Sequence, residues 1–199
     1  MIVTLADYAA YRVLSLEDVS EDEQARNTGL LERAQARVEA HCQRRFEPVA
    51  GTRYYDAVGP HLQGRMLLLD ADLLAVTTLT NGDGEEIAAG DYRLYPLNGN
   101  PKFAIVLKSS AGVYWTWQDD PEAAIVVEGS WGYDTAVPGD VEQAVLQLTD
   151  WYYKLSSQSP SEIGETRRLA DGTMILPSRL PKDIQALLEP YVRLTLVGI

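Results

Sequence analysis

The segment Leu30-Leu31-Glu32-Arg33-Ala34-Gln35-Ala36-Arg37-Val38-Glu39-Ala40-His41-Cys42-Gln43-Arg44-Arg45-Phe46 runs straight into Glu47-Pro48-Val49-Ala50-Gly51-Thr52-Arg53-Tyr54-Tyr55, and the change of rhythm between them decides the fold. Leu30, Ala34, Val38, Cys42 and Phe46 recur every four residues, lining one slowly drifting helix face with apolar or small side chains. This spacing predicts a long helix from near Asp18 or Ser20 to about Phe46. Glu21, Asp22 and Glu23 fall in its first turn and His41, Arg44 and Arg45 near its last, so the charges complement the helix dipole at both ends. Pro48 and Gly51 then stop it.

Beyond Gly51 the pattern is one of short apolar runs: Arg53-Tyr54-Tyr55, Met66 to Leu69, Ala75 to Leu79, Tyr92 to Tyr95, Phe103 to Leu107 and Ala124 to Val127. Their length and their β-branched and aromatic content predict strands. Asn81-Gly82-Asp83-Gly84 and Asn98-Gly99-Asn100-Pro101 supply turn residues between them. After Val137-Pro138-Gly139-Asp140 the helical period returns through Val141, Ala144, Val145, Leu148, Trp151, Tyr152 and Leu155. Ser156 to Thr173 has no period and predicts a long loop. A last helix spans about Pro181 to Val192, an apolar tail follows from Leu194 to Ile199, and a short helix covers Leu5 to Leu14 at the start. The expected class is α+β: a helical body, built from the long N-terminal helix and two C-terminal helices, with an antiparallel β-rich insertion. Residues 1–51 and 137–199 form the body and residues 52–136 the insertion.

The chain has 199 residues, a formal net charge of -12 and one cysteine. Its length leaves no room for a separate catalytic domain. The first residues lack the basic segment and apolar stretch of a secretory signal, and no run approaches the roughly 20 apolar residues of a membrane span, so cytoplasmic synthesis without membrane insertion is expected. Phosphate binding requires Lys and Arg to displace counterions, and the acidic total disfavours it. Arg33, Arg37, Arg44 and Arg45 still give one helix a basic end. That end is either an ordinary solvated or interface-facing surface or a dock for an acidic partner.

Acid–base catalysis would need paired carboxylates in a cleft, and the candidates are Asp70 with Asp72, Asp119 with Asp120, and Glu85 with Glu86. Each pair sits in or beside a predicted turn, where acids are ordinary. Asn81, Asp83 and Glu85 alternate like the start of a calcium loop, but the position that needs a bidentate glutamate is Tyr92. Cys42 and His41 are neighbours on a helix and point about 100° apart, and His61 is not brought near by any motif. No GxSxG, HExxH, P-loop or GxGxxG pattern occurs. Neither an enzyme nor a cofactor is expected. The aromatics Tyr114, Trp115, Trp117, Trp151, Tyr152 and Tyr153 suit core or interface packing better than a stacking platform, because Asp119, Asp120 and Glu122 follow directly.

Several motifs occur together and in order. Leu30-Leu31-Glu32-Arg33-Ala34 precedes Val38-Glu39-Ala40-His41-Cys42-Gln43-Arg44-Arg45-Phe46; Leu79 to Gly84 precedes Asp91-Tyr92-Arg93-Leu94; Trp131-Gly132-Tyr133 leads through Val137-Pro138-Gly139-Asp140-Val141 to Ala144-Val145 and Trp151-Tyr152; Leu180-Pro181-Lys182-Asp183-Ile184 leads to Leu187-Leu188-Glu189-Pro190-Tyr191. This series resembles the head-tail connector, or head-completion adaptor, family of tailed phages nearly end to end. The resemblance implies a structural protein of the virion neck, made in the host cytoplasm, with no catalysis or cofactor. It implies a homo-oligomeric, typically dodecameric ring between the portal protein and a stopper or tail-completion protein, with DNA passing through the lumen unbound. It also implies that the C-terminal helix and tail, with Tyr191, Leu194, Leu196, Val197 and Ile199, reach the portal. The β insertion is larger than in the smallest family members.

Ring contacts join two different patches on each subunit. The expected pair is the basic helix end, with Arg33, Arg37, Arg44 and Arg45, against an acidic surface of the β section. An apolar tail either packs on its own core or inserts into a neighbour. Two rival functions remain at this point: a carbohydrate- or host-surface-binding virion module using a strand from Tyr114 to Trp117, which requires exposed aromatics, and a carboxylate hydrolase, which requires Asp119 or Asp120 to face a second acid in a cleft.

Overall fold

The computed structural model describes residues 1–157, 167–168, 174–175 and 180–193. The chain is α+β and divides into two compact units, Met1–Gln43 together with Val137–Ile199, and Arg44–Ala136.

In the helical unit, α1 (Leu5–Tyr11) opens with a capping box: the Asp7 N–H donates to the Thr4 hydroxyl and the Thr4 N–H donates to the Asp7 carboxylate. It ends three residues before the expected Leu14, and Val13 then takes a left-handed φ of 57°. The long helix α2 (Glu21–Cys42) starts at Ser20, whose hydroxyl accepts the Glu23 N–H. It stops at Cys42, four residues short of the expected Phe46, because Gln43 turns left-handed at φ 52°. Arg44 and Arg45 therefore lie beyond the helix, and His41 alone supplies a base in its last turn. The third helix α3 (Gly139–Ser157) buries Val141, Ala144, Val145, Leu148, Tyr152 and Leu155 of the stripe its spacing predicts, with Trp151 half-buried. A short α4 (Lys182–Leu188) runs into a 3-10 turn at Glu189–Tyr191, where one continuous helix was expected. α1 packs on α2, α2 on α3, and α3 on α4. Ser156 and Ser157 still belong to α3, and Arg167–Arg168, inside the expected loop, pairs antiparallel with Met174–Ile175 just beyond it. The rest of that loop and the tail from Leu194 to Ile199 lie outside the described residues.

The β unit holds β1 (Val49–Tyr55), β2 (Leu62–Gln63), β3 (Met66–Thr80), β4 (Tyr92–Tyr95), β5 (Lys102–Leu107) and β6 (Ile125–Trp131). They form one antiparallel sheet in the order β1-β6-β3-β5-β4, with β2 on β3. Where the sequence suggests two strands, β3 is a single strand of 15 residues. Its first part pairs with β5, as in Met66 with Val106, and its second with β6, as in Leu79 with Val127, with register slips between. Asp70 and Asp72 do not break it because each finds a cation: Arg53 lies 2.9 Å from Asp70, and Arg44 lies 2.7 Å from Asp72. Alternate residues Leu67, Leu69, Leu73 and Leu79 enter a core with Tyr55, Ile105, Leu107, Trp115, Ile125, Val127 and Trp131.

The chain comes into this unit and leaves it side by side. The Tyr133 N–H donates to the Arg45 carbonyl at 2.9 Å, and the Gly132 N–H to the Asp72 carbonyl at 2.9 Å. The Tyr133 ring rests 5.7 Å from that of Phe46, with the Arg44 guanidinium 5.3 Å from it. Gly132 has φ 156°, and a Cβ there would stand 2.8 Å from the Glu47 carbonyl oxygen, so only glycine fits.

Two substitutions by alanine should therefore have opposite signs. Gly132→Ala is expected to cost about 2 kcal/mol or more. Gly29→Ala, inside α2 with nothing within 4 Å of the added Cβ, should stabilise by about 0.5–1 kcal/mol. Urea unfolding with hydrogen exchange, which resolves the two units, measures both; a destabilised Gly29→Ala would contradict this account of α2.

Candidate functional site

The candidate catalytic groups are dispersed and locally bonded. Asp70 accepts from the Tyr55 hydroxyl at 2.6 Å and pairs with Arg53. Burial, followed by this bond to Asp70, pushes the Tyr55 phenol far up. Asp72 is buried with Arg44. Asp119 and Asp120 are exposed, with Asp120 accepting the Glu122 N–H at 2.9 Å. Glu85 and Glu86 are exposed on the turn after β3. Cys42 is fully buried, and His61 holds the Leu68 carbonyl through Nδ1 at 3.1 Å. Among the described residues no group of three or more His, Cys, Asp or Glu side chains is placed to hold a metal. An open cleft of about 390 Å³ is lined by Arg65, Arg93, Lys108, Tyr95, Ser109 and Ser110 and contains no carboxylate.

One surface of the β unit does concentrate chemistry. Buried Asn81 is its hub: Nδ2 donates to the Tyr114 carbonyl and to the Thr116 hydroxyl, each at 2.9 Å, and Oδ1 accepts the N–H groups of Gly82 and Thr116 at 3.0 and 3.2 Å. The Thr116 hydroxyl donates to Asp83 at 2.6 Å, and Gln118 bonds Gly82 and Asp83 through its N–H and side-chain amide. The turn and the 114–118 segment touch so closely that a Cβ on Gly82 would lie 2.4 Å from the Thr116 carbonyl oxygen. The Thr116 hydroxyl, and then the Glu85 N–H, hold the Asp83 carboxyl below its usual range, keeping it ionised.

The expected strand from Tyr114 to Trp117 is not a strand; among the described residues its one ladder contact is an isolated bridge between Trp117 and Gly82. Trp115 turns inward, its indole N–H on the Arg65 carbonyl at 3.1 Å. Tyr114 and Trp117 turn outward, 63% and 44% exposed. Arg65 lies 4.8 Å from the Tyr114 ring. Tyr152 is buried, while Trp151 and Tyr153 are half-buried on α3.

The four arginines grouped by sequence separate in space. Arg33 is exposed and Arg37 half-buried on α2. Arg44 lies inside the β unit on Asp72, and Arg45 is exposed just after α2. Tyr191 donates to Asp140 at 3.2 Å, and the Arg193 N–H caps the Cys42 carbonyl in the last turn of α2 at 2.9 Å. Leu194, Leu196, Val197 and Ile199 lie outside the described residues. The Arg44–Asp72 pair and the Asn81 hub were missed in the sequence. Asn81 carries only a turn signal there, and nothing local marks its burial.

No family model and no curated protein matches the sequence. Solved structures do. A chain of the neck of an empty gene transfer agent particle, computed with C6 symmetry, matches with TM-score 0.59 and 20% identity, covering 99% of this chain and 92% of that chain. A chain of the neck of the native particle, computed with C12 symmetry, gives 0.55 and 19% over 87% and 85%. A chain of the native gene transfer agent virion gives 0.56 and 19% over 99% and 92%. At these identities the likeness is one of fold.

Arg44→Ala strands a buried carboxylate and should cost about 3–5 kcal/mol, whereas Arg33→Ala, at an exposed helix position, should change stability by no more than about 0.5 kcal/mol. Denaturant titration of both variants checks the contrast. Asn81→Ala, which removes four hydrogen bonds at a buried site, is expected to cost about 2–4 kcal/mol and to accelerate amide exchange at residues 114–118. Unchanged exchange there would deny Asn81 its bracing role.

Proposed function

We propose that the chain is a non-enzymatic structural protein of a virion neck that assembles as a ring, typically of twelve copies, beneath the portal and joins it to a stopper or tail-completion protein. The observation that carries this reading is the fold likeness along nearly the whole chain to chains of gene transfer agent necks solved with ring symmetry. The ordered series of adaptor-like motifs in the sequence supports it independently. The net charge of -12 also suits a conduit, since an acidic wall lets DNA pass without gripping its phosphates. The dispersal of the carboxylates and the burial of Cys42 favour a structural over a catalytic role.

In this reading the tail from Leu194 to Ile199 engages the portal, and the residues before it are held by Tyr191 on Asp140 of α3 and by the Arg193 N–H on the Cys42 carbonyl of α2. Burial of that apolar tail in a partner supplies hydrophobic contact that a solvated terminus would lack. The exposed Tyr114 and Trp117 give a second reading some support: a carbohydrate- or host-surface-binding virion module.

Native mass spectrometry with electron-microscope class averages, on the protein alone and mixed with the portal, tests the first reading. A ring, or a monomer that becomes a ring on the portal, is the expected outcome. Removing residues 194–199 should abolish portal binding without unfolding the helices. A monomer that ignores the portal but binds a glycan array through Trp117 would replace the ring with the second reading.

A further inference from the structure

We propose that the surface presenting Trp117, with Asp83 and Glu85 on the turn bridged to it and Asp119 and Asp120 next along the chain, docks on the Arg33–Arg37 flank of α2 in a second copy of this chain. This rests on the ring reading above and identifies the two complementary faces that such a ring requires.

Trp117 is 44% exposed although its backbone is held on both sides, by Asn81 through Thr116 and by Gln118 through Gly82. A large aromatic ring held outward on a braced segment is the form of an interface anchor, because little order remains to be lost on binding. Charge selects the occupant. Segments 81–91 and 114–124 carry Asp83, Glu85, Glu86, Asp91, Asp119, Asp120 and Glu122, and neither contains Lys or Arg. The second face must supply cations.

On α2, Arg33 and Arg37 lie one turn apart and within about 40° of each other around the axis, while Glu32 and Glu39 lie about 100–160° away; Arg26, on the same side, is engaged with Tyr153 and Ser156 of α3. Arg33 is exposed and makes no ion pair among the described residues. A guanidinium can stack on the Trp117 indole while its fork engages a carboxylate, so two arginines one turn apart match an indole bordered by acids. Arg44 takes no part, being held on Asp72. Because the faces differ, each copy offers one to the neighbour on either side, and the contact propagates until it closes.

The test uses the full chain in two charge-reversed forms, Arg33→Glu with Arg37→Glu, and Asp119→Arg with Asp120→Arg, scored by native mass spectrometry and sedimentation, with the portal present if the wild type needs it. Circular dichroism and melting confirm that each is folded, and Trp117→Gln probes the anchor without changing charge. Each reversed form alone should associate at least about tenfold more weakly than wild type, and so should Trp117→Gln. Mixing the two reversed forms should restore assembly, since one junction is then native and the other has both charges exchanged. If either form alone assembles like the wild type, or the folded pair fails to recover on mixing, the docking pair is overturned while the ring stands. A wild type that never assembles, alone or on the portal, removes the ring reading itself.

Discussion

The β unit depends on the ion pair between Arg44 and Asp72. The Asp72 carboxylate is almost entirely out of water and the Arg44 guanidinium nearly so, a situation that is tolerable only while both are present and well aligned. The same aspartate offers its carbonyl to Gly132, so one residue in the middle of β3 holds the first residue of the unit by its side chain and the end of β6 by its backbone. Tyr133 completes the closure between Phe46 and Arg44. With β1 and β6 tied at that point, their seven paired positions from Val49–Trp131 to Tyr55–Ile125 follow in register.

Where the sequence could be read, a simple period survived. The four-residue stripe through Leu30, Ala34, Val38 and Cys42 is buried on α2, β4 has the bounds its residues suggest, and the class is α+β with an antiparallel sheet. Where it could not be read, a long-range partner overrode a local signal. Phe46 is in phase with the helical stripe yet belongs beyond it, on the Tyr133 ring, because Gln43 turns the chain. Asp70-Ala71-Asp72 reads as a break in β3, and only the distant arginines reveal that it is not one. The aromatic run at Tyr114 to Trp117 alternates like a strand, but Asn81 takes up its backbone groups in place of a ladder partner.

The arginines shared out along residues 26–45 illustrate the same limit at the level of function. Charge spacing marks a basic helix end, but only the fold separates cations that act inside a unit from those that face outward. Arg44 is internal, whereas Arg33 is left on the surface of α2. The hydrogen bonds that join Asp83 to Thr116 and Gln118 also brace the backbone on either side of Trp117, so acidity and apolar surface are presented on one segment.

The bond between the Arg45 carbonyl and the Tyr133 N–H has a consequence for the order of folding. α2 and α3 pack on each other, yet the whole β unit intervenes in sequence between them, and pairing them in an open chain would require closing a very long loop. Once the β unit has folded, the residues that follow α2 and those that lead into α3 are already held at hydrogen-bonding distance. The sheet then acts as a tether of almost no length, and the helices meet as near neighbours instead of as distant segments.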